Sequence, residues 1–137
     1  MYSIGHKIDG KFLTLYDVCY DTTALRARFS QARIYPKKIN LPRPLDKLFS
    51  PSPVMSPFHA NSFFKGEIYD RFKKIYGERQ NYVANGAEVI NRGHLTASSD
   101  FLFEDQLSST YKLVNVVPQF ASINSGNWNI IESGAST

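Results

Sequence analysis

A single cysteine, Cys19, stands among the 137 residues. One thiol closes no internal disulfide and builds no zinc cluster, so covalent staples and structural zinc sites of cysteine are excluded within the chain. No apolar run approaches the roughly 18 residues that a membrane span needs, and no membrane partner is expected. The opening residues Met1-Tyr2-Ser3-Ile4-Gly5-His6-Lys7 lack the apolar centre of an export signal. Tryptophan occurs once, at Trp128. Proline is scarce outside one stretch: six of the seven prolines fall between Pro36 and Pro57, and only Pro118 lies beyond. Each removes a backbone donor and restricts its predecessor, so residues 36–57 read as a long connection without regular structure.

What is present suits one folded domain over 1–137. The hydrophobic share of 42% and aromatic share of 14% suffice for a core and exclude a disordered composition. Formal net charge is +4. Residues 1–62 hold nine Lys/Arg against four Asp/Glu, or +5, and residues 63–137 hold seven against eight, or −1. A basic surface favours polyanions through counterion release, although charge of this size also serves solubility alone.

Taken in order, Phe12 to Tyr20 is rich in β-branched and aromatic residues and predicts a strand. Arg26 to Tyr35 alternates loosely and predicts a second, from which Arg26, Arg28 and Arg33 project to track phosphates or to form a solvated face. Phe64, Ile68, Phe72 and Ile75 recur at helical spacing, predicting a helix over 63–76 with this stripe in the core, Ser62 at its start and Gly77 at its end. Asn85-Gly86 signals a hairpin or strand over 81–90. A short helix through Gln106 is expected after Thr96 to Asp100. Tyr111 to Val117 reads as a strand stopped by Pro118. A last helix opens at Ser122 or Asn124, includes Trp128, Ile130 and Ile131, and stops at Gly134.

The chemistry gathers in three places: Asn91-Arg92-Gly93-His94, Asn115, and Asn124 with Glu132. The imidazole of His94 titrates near neutrality and can take a proton from water. Gly93 permits an unusual backbone angle or a close ligand. Arg92 offers a planar fork of donors suited to phosphate oxygens. Asn124 and Glu132 are separated by about 80° around a regular helix and point broadly the same way. An asparagine carbonyl suits Mg²⁺, which keeps several waters, and a carboxylate can hold one of those waters. Asn124 as a simple helix cap and Glu132 as a surface charge are the plain alternatives. Together the groups imply metal-assisted cleavage of a phosphodiester, with nothing that reads a base.

At these residues the chain resembles the DNA/RNA non-specific endonuclease family, the ββα-metal nucleases. The family pattern Asp-Arg-Gly-His stands here as Asn91-Arg92-Gly93-His94. A family segment ending Asn-Val-Ala-Pro-Gln is similar to Asn115-Val116-Val117-Pro118-Gln119. The family's Asn-x-x-x-Trp-x-x-x-Glu is matched by Asn124, Trp128 and Glu132. The match is strong over 91–132 and looser over 12–90, and Leu15 to Asp21 looks like the start of the arthropod secreted branch.

The resemblance implies an α+β fold, with a ββα-metal core over 88–132, a mixed or antiparallel sheet and flanking helices. It implies that His94 is the general base and that Asn124 binds Mg²⁺ directly, with Mn²⁺ as the alternative. Glu132 would support the metal's water shell. Arg92 and Asn115 would position phosphate or support the site, and Arg43 would help hold the phosphate. DNA and RNA are the implied substrates. Secretion is the implied localisation, with mitochondria, where endonuclease G acts, as the alternative. Three departures accompany it. Asn91 replaces the family aspartate and removes a charge expected beside His94 and the metal. The family domain continues well past this glutamate, so an incomplete sheet with exposed apolar surface is expected. The secreted members' paired cysteines are missing. These departures motivate a second reading, a catalytically impaired nucleic-acid-binding remnant.

Overall fold

The computed structural model describes residues 1–39, 42, 49–50, 68–87 and 90–135. The fold is α+β, and the described residues form two separate antiparallel sheets and short helices. The first sheet has three strands in the order β1 (Tyr2–Ile8), β2 (Lys11–Asp21) and β3 (Arg26–Ala32). The second pairs β4 (Ile90–His94) with β5 (Val116–Phe120). Among the described residues, α1 is Ile68–Tyr76 and α2 is Glu104–Ser109. Residues 121–135 form the last helix, α3.

β1 was not expected, and its cause is local. Asp9 and Gly10 both take positive φ, 48° and 77°, between the paired Ile8 and Lys11. That is the two-residue turn whose twist matches a hairpin, and Gly adopts it freely. β2 spans the predicted strand. β3 stops at Ala32, three residues short of the expected end. The turn between β2 and β3 is held by Asp21. One carboxylate oxygen accepts from the Ala24 N–H at 2.9 Å and the Thr23 N–H at 3.1 Å, and the other from Arg28 at 2.7 Å.

Alternation along β2 turns Tyr16, Val18 and Tyr20 to one face, where they are buried against Phe101, Leu107 and Val114. Ile4, Leu15, Ala27 and Ala32 pack around that cluster. The Tyr16 hydroxyl donates to the Ser109 carbonyl at 2.7 Å, so a phenol only 1% exposed keeps its hydrogen bond. Burial pushes its pKa up. The three-stranded sheet is thereby fastened to the segment that leads into the second sheet.

Several expectations are corrected. The described part of the predicted 63–76 helix begins at Ile68, and Ser62 with residues 63–67 lies outside the described residues. The described part of its apolar stripe, Ile68, Phe72 and Ile75, is not core: no residue of α1 is buried, and Ile75 is 72% exposed, while Phe64 lies outside the described residues. Helical periodicity reports a face, not what covers it. Gly77 does close α1, with φ 95° and its N–H on the Lys73 carbonyl at 2.7 Å. Asn85-Gly86 makes a turn, but residues 81–87 form no strand. The helix expected through Gln106 is broken: a single turn at Ser98–Asp100 precedes α2, which opens only at Glu104.

The 111–117 strand is displaced too. Leu113–Asn115 is a buried 3₁₀ turn, and β5 begins at Val116 and runs through Pro118. Proline is tolerated because, among the described residues, β5 pairs on one side alone. Apolar surface is exposed on α3, where Ile123, Ile130 and Ile131 are 49%, 69% and 58% accessible.

The Asp21 turn yields a pH prediction. Its carboxyl is lowered from 3.8 to about 2, first by the Ala24 N–H and then by Arg28. A depressed carboxylate contributes stability above its unfolded pKa and loses it as pH falls through the folded value. Urea unfolding at stepped pH is expected to show the parent losing stability between pH ~4 and ~2 more steeply than Asp21→Asn.

Candidate active site

β4 sets the site by alternation. Its register with β5 runs without a break from Ile90 opposite Phe120 to His94 opposite Val116. Arg92 and His94 therefore share one face, and Asn91 and Gly93 take the other. Asn91 thus does not sit on the His94 face. The charge expected beside the imidazole from the family aspartate would, at this register, belong to the opposite side of the strand. Gly93 has no left-handed φ. Its role here is space: a Cβ would lie 2.4 Å from Gln119 Oε1 and 3.0 Å from Gln119 Cβ.

The face with Arg92 and His94 meets two aromatic rings. The imidazole centre is 4.7 Å from that of Tyr111, nearly edge-on at 80°, and 5.6 Å from that of Phe49. The guanidinium carbon of Arg92 lies 5.1 Å from the Phe49 ring centre. Both site residues are half-buried. Neither ring was singled out from sequence, because both belong to elements remote from His94 along the chain.

Asn115, the residue before β5, is 0% exposed. Its Oδ1 accepts from the Thr96 N–H at 2.9 Å, and its Nδ2 donates to the Thr96 carbonyl at 2.9 Å and the Thr110 carbonyl at 3.0 Å. Its own carbonyl accepts from the Leu95 N–H at 2.9 Å. The carboxamide is committed within the protein to Thr96 and Thr110, and together with the backbone carbonyl it clamps the two residues that follow His94. Thr96 Oγ1 bonds Ser30 Oγ at 2.7 Å, which ties the clamp to β3. Lys37 adds a second tie, donating to the carbonyls of Ser99 and Phe101. Asp100, in the same turn, has a raised pKa caused first by burial.

α3 carries the remaining groups. It consists of Ala121–Ile123, a wide turn Asn124–Trp128 and Asn129–Ala135. The backbone breaks at Gly126, with φ −99° and ψ −111°. A uniform helical wheel therefore does not apply between Asn124 and Glu132, and the 80° expectation is replaced by a kinked geometry. Trp128, midway between them, donates its indole N–H to the His94 carbonyl at 3.2 Å. The helix is thus pinned to the last residue of β4, with half-buried Asn124 and Glu132 four residues to either side. Ser99 Oγ makes a long 3.5 Å contact with the Glu132 carbonyl. Trp128 was visible in the sequence as a motif position, but its anchoring role is a tertiary finding.

Arg43 lies outside the described residues. Of the three arginines on and beyond β3, Arg28 is paired with Asp21, and Arg26 and Arg33 are exposed. Among the described residues, no three His, Cys, Asp or Glu side chains gather as a metal site.

Removing the clamp should be costly. Asn115→Ala strands the N–H and carbonyl of Thr96 and the carbonyl of Thr110, at about 1–3 kcal/mol for each buried group left unsatisfied. Denaturant unfolding is expected to show a loss of about 3 kcal/mol or more.

Comparison with known proteins bears on this arrangement. The family model for DNA/RNA non-specific endonucleases matches residues 2–136. A curated relative, the salivary endonuclease of Lutzomyia longipalpis, is 25% identical over 135 residues, covering 97% of this chain and 33% of the relative. The chain therefore spans about a third of that relative's length. No solved structure matches it significantly. The strand and kinked helix that carry Arg92, His94, Asn124 and Glu132 lie inside the matched region, and the chain belongs to the DNA/RNA non-specific endonuclease family.

Proposed function

We propose that this chain carries the catalytic centre of a metal-dependent endonuclease that hydrolyses phosphodiester bonds of DNA and RNA with little sequence preference. The observation that supports it most is the Trp128–His94 hydrogen bond, because it ties the helix of Asn124 and Glu132 to the strand of Arg92 and His94. Family membership supplies the reaction class. The relative's name, a salivary endonuclease, supports an extracellular setting.

His94 takes the proton of the attacking water. Its neutral imidazole is the base required near pH 7. Arg92, two residues earlier on the same face, holds a non-bridging phosphate oxygen and offsets the charge that grows on it. Asn115 acts by fixing the backbone after His94; its buried carboxamide supports the site and does not touch phosphate. No group in this set reads base edges, so weak sequence preference follows.

The donor set fits a hard cation. A zinc site would need three or more His, Cys, Asp or Glu ligands. An asparagine oxygen and one carboxylate suit Mg²⁺, or Mn²⁺, which retains water in most of its positions. Asn124 would bind the ion directly and Glu132 would hold its water shell. When bound, the ion polarises a phosphate oxygen.

A second reading, binding without cleavage, is favoured by Asn91 in place of the family aspartate. It predicts salt-sensitive association with DNA and no metal-dependent products. Incubation of the chain with plasmid and with RNA, in Mg²⁺ or in EDTA, separates the two. Cleavage in Mg²⁺ that stops in EDTA is expected, and His94→Ala should lower the rate by about 10²–10⁴-fold. Equal cutting by His94→Ala would end the assignment. Trp128→Phe keeps an aromatic side chain but removes the indole N–H together with part of the ring volume. It is expected to slow cleavage by about ten- to a hundredfold through misplacement of α3, with kcat the parameter to follow.

A further inference from the structure

The proposed chemistry leaves the two rings beside the site without a role. Phe49 and Tyr111 pack on each other at 4.9 Å, and the imidazole of His94 lies against both. Phe49 alone also faces Arg92. The backbone fixes where that ring sits. The Ser50 N–H donates to the Tyr111 carbonyl at 3.0 Å, and the Leu113 N–H donates to the Ser50 carbonyl at 2.8 Å. Ser50 and Lys112 form a parallel bridge there. Phe49 further packs on buried Leu113 and Val116. Tyr111 is 4% exposed and Phe49 is half-buried, so neither ring is a loose surface group.

We propose that Phe49 and Tyr111 are positioning residues: a shared aromatic wall that sets the ring plane of His94 and the plane of Arg92 relative to each other. The second torsion of histidine is broad, so packing against a ring narrows the planes an imidazole samples. A ring held edge-on by one aromatic and bounded by a second has fewer. A guanidinium stacked on an aromatic face keeps its N–H edge for oxygen ligands, which suits a phosphate fork. One phenylalanine serving both groups makes their separation a property of the wall. The proposal rests on the nuclease reading for its kinetic consequence, but the wall itself can be tested without it.

The test uses the full chain with Phe49→Leu and Tyr111→Leu, beside the conservative Phe49→Tyr and Tyr111→Phe. Plasmid cleavage in Mg²⁺ gives kcat and KM. Proton NMR of the imidazole C–H signals, with His94 assigned by their loss in His94→Gln, reports the ring without any reaction. Both leucine variants are expected to lower kcat by about ten- to a hundredfold. Phe49→Leu, which alone loses the Arg92 contact, should also raise KM. The aromatic replacements should recover most of kcat. In the leucine variants the His94 signals should lose the ring-current displacement caused by their neighbours, while those of His6 stay in place.

Folded leucine variants with parental kcat, or aromatic replacements that lose as much as leucine, would overturn the proposal. Unmoved His94 signals would do the same. If Tyr111→Leu fails to fold, the half-buried Phe49→Leu decides. If the parent cuts nothing, the nuclease reading fails, and the NMR result alone judges the wall.

Discussion

A primary amide with no access to water must find its partners inside the protein or destabilise it. That constraint, applied to Asn115, organises the site. Its carboxamide takes the N–H and carbonyl of Thr96 together with the carbonyl of Thr110, and its backbone carbonyl takes Leu95. The chain leaving β4 has no freedom to drift from the chain entering β5. His94 is the last residue of β4. The backbone that follows it is consequently fixed by Asn115, while its ring meets those of Phe49 and Tyr111.

From that fixed point the other contacts follow in sequence. The carbonyl of His94 receives the Trp128 indole, and the kinked helix is located by its middle residue. Asn124 and Glu132 inherit their places from Trp128. The break at Gly126 matters because a wide turn re-aims the residues before it relative to those after it. On the other flank, Ser30 and Lys37 reach from β3 and the residues beyond it to Thr96, Ser99 and Phe101. The three-stranded sheet therefore buttresses the site and supplies its hydrophobic footing through Tyr16, Val18 and Tyr20.

The charge distribution is consistent with this division of labour. The basic excess lies in the first 62 residues, and the half carrying the motif is close to neutral. Long-range attraction of a polyanion is a property of summed charge, whereas positioning depends on a few short contacts. Arg28 illustrates the difference: one of the three arginines that the sequence offers either as a phosphate track or as a solvated face is engaged in holding the β2–β3 turn.

The sequence by itself determined the groups available for chemistry and their order: a histidine and an arginine two apart, then Asn115, then Asn124, Trp128 and Glu132. That order is local information, read residue by residue along the chain; that Arg92 and His94 share a face followed only once β4 was seen to run through both. Asp9-Gly10 carried an equally local signal for the first hairpin, since that turn depends only on its own two residues. Burial was not legible. The stripe on α1 has helical spacing whether or not anything covers it, and here Ile75 stays exposed. Tertiary structure alone decided that Asn115 is a clamp, that Trp128 meets the His94 carbonyl, that Asn91 faces away from the imidazole, and that Phe49 comes to lie between Arg92 and Tyr111. Each of these joins residues far apart in the chain or depends on pairing register, and a linear pattern records spacing along the backbone but not which distant surface arrives to satisfy a buried donor.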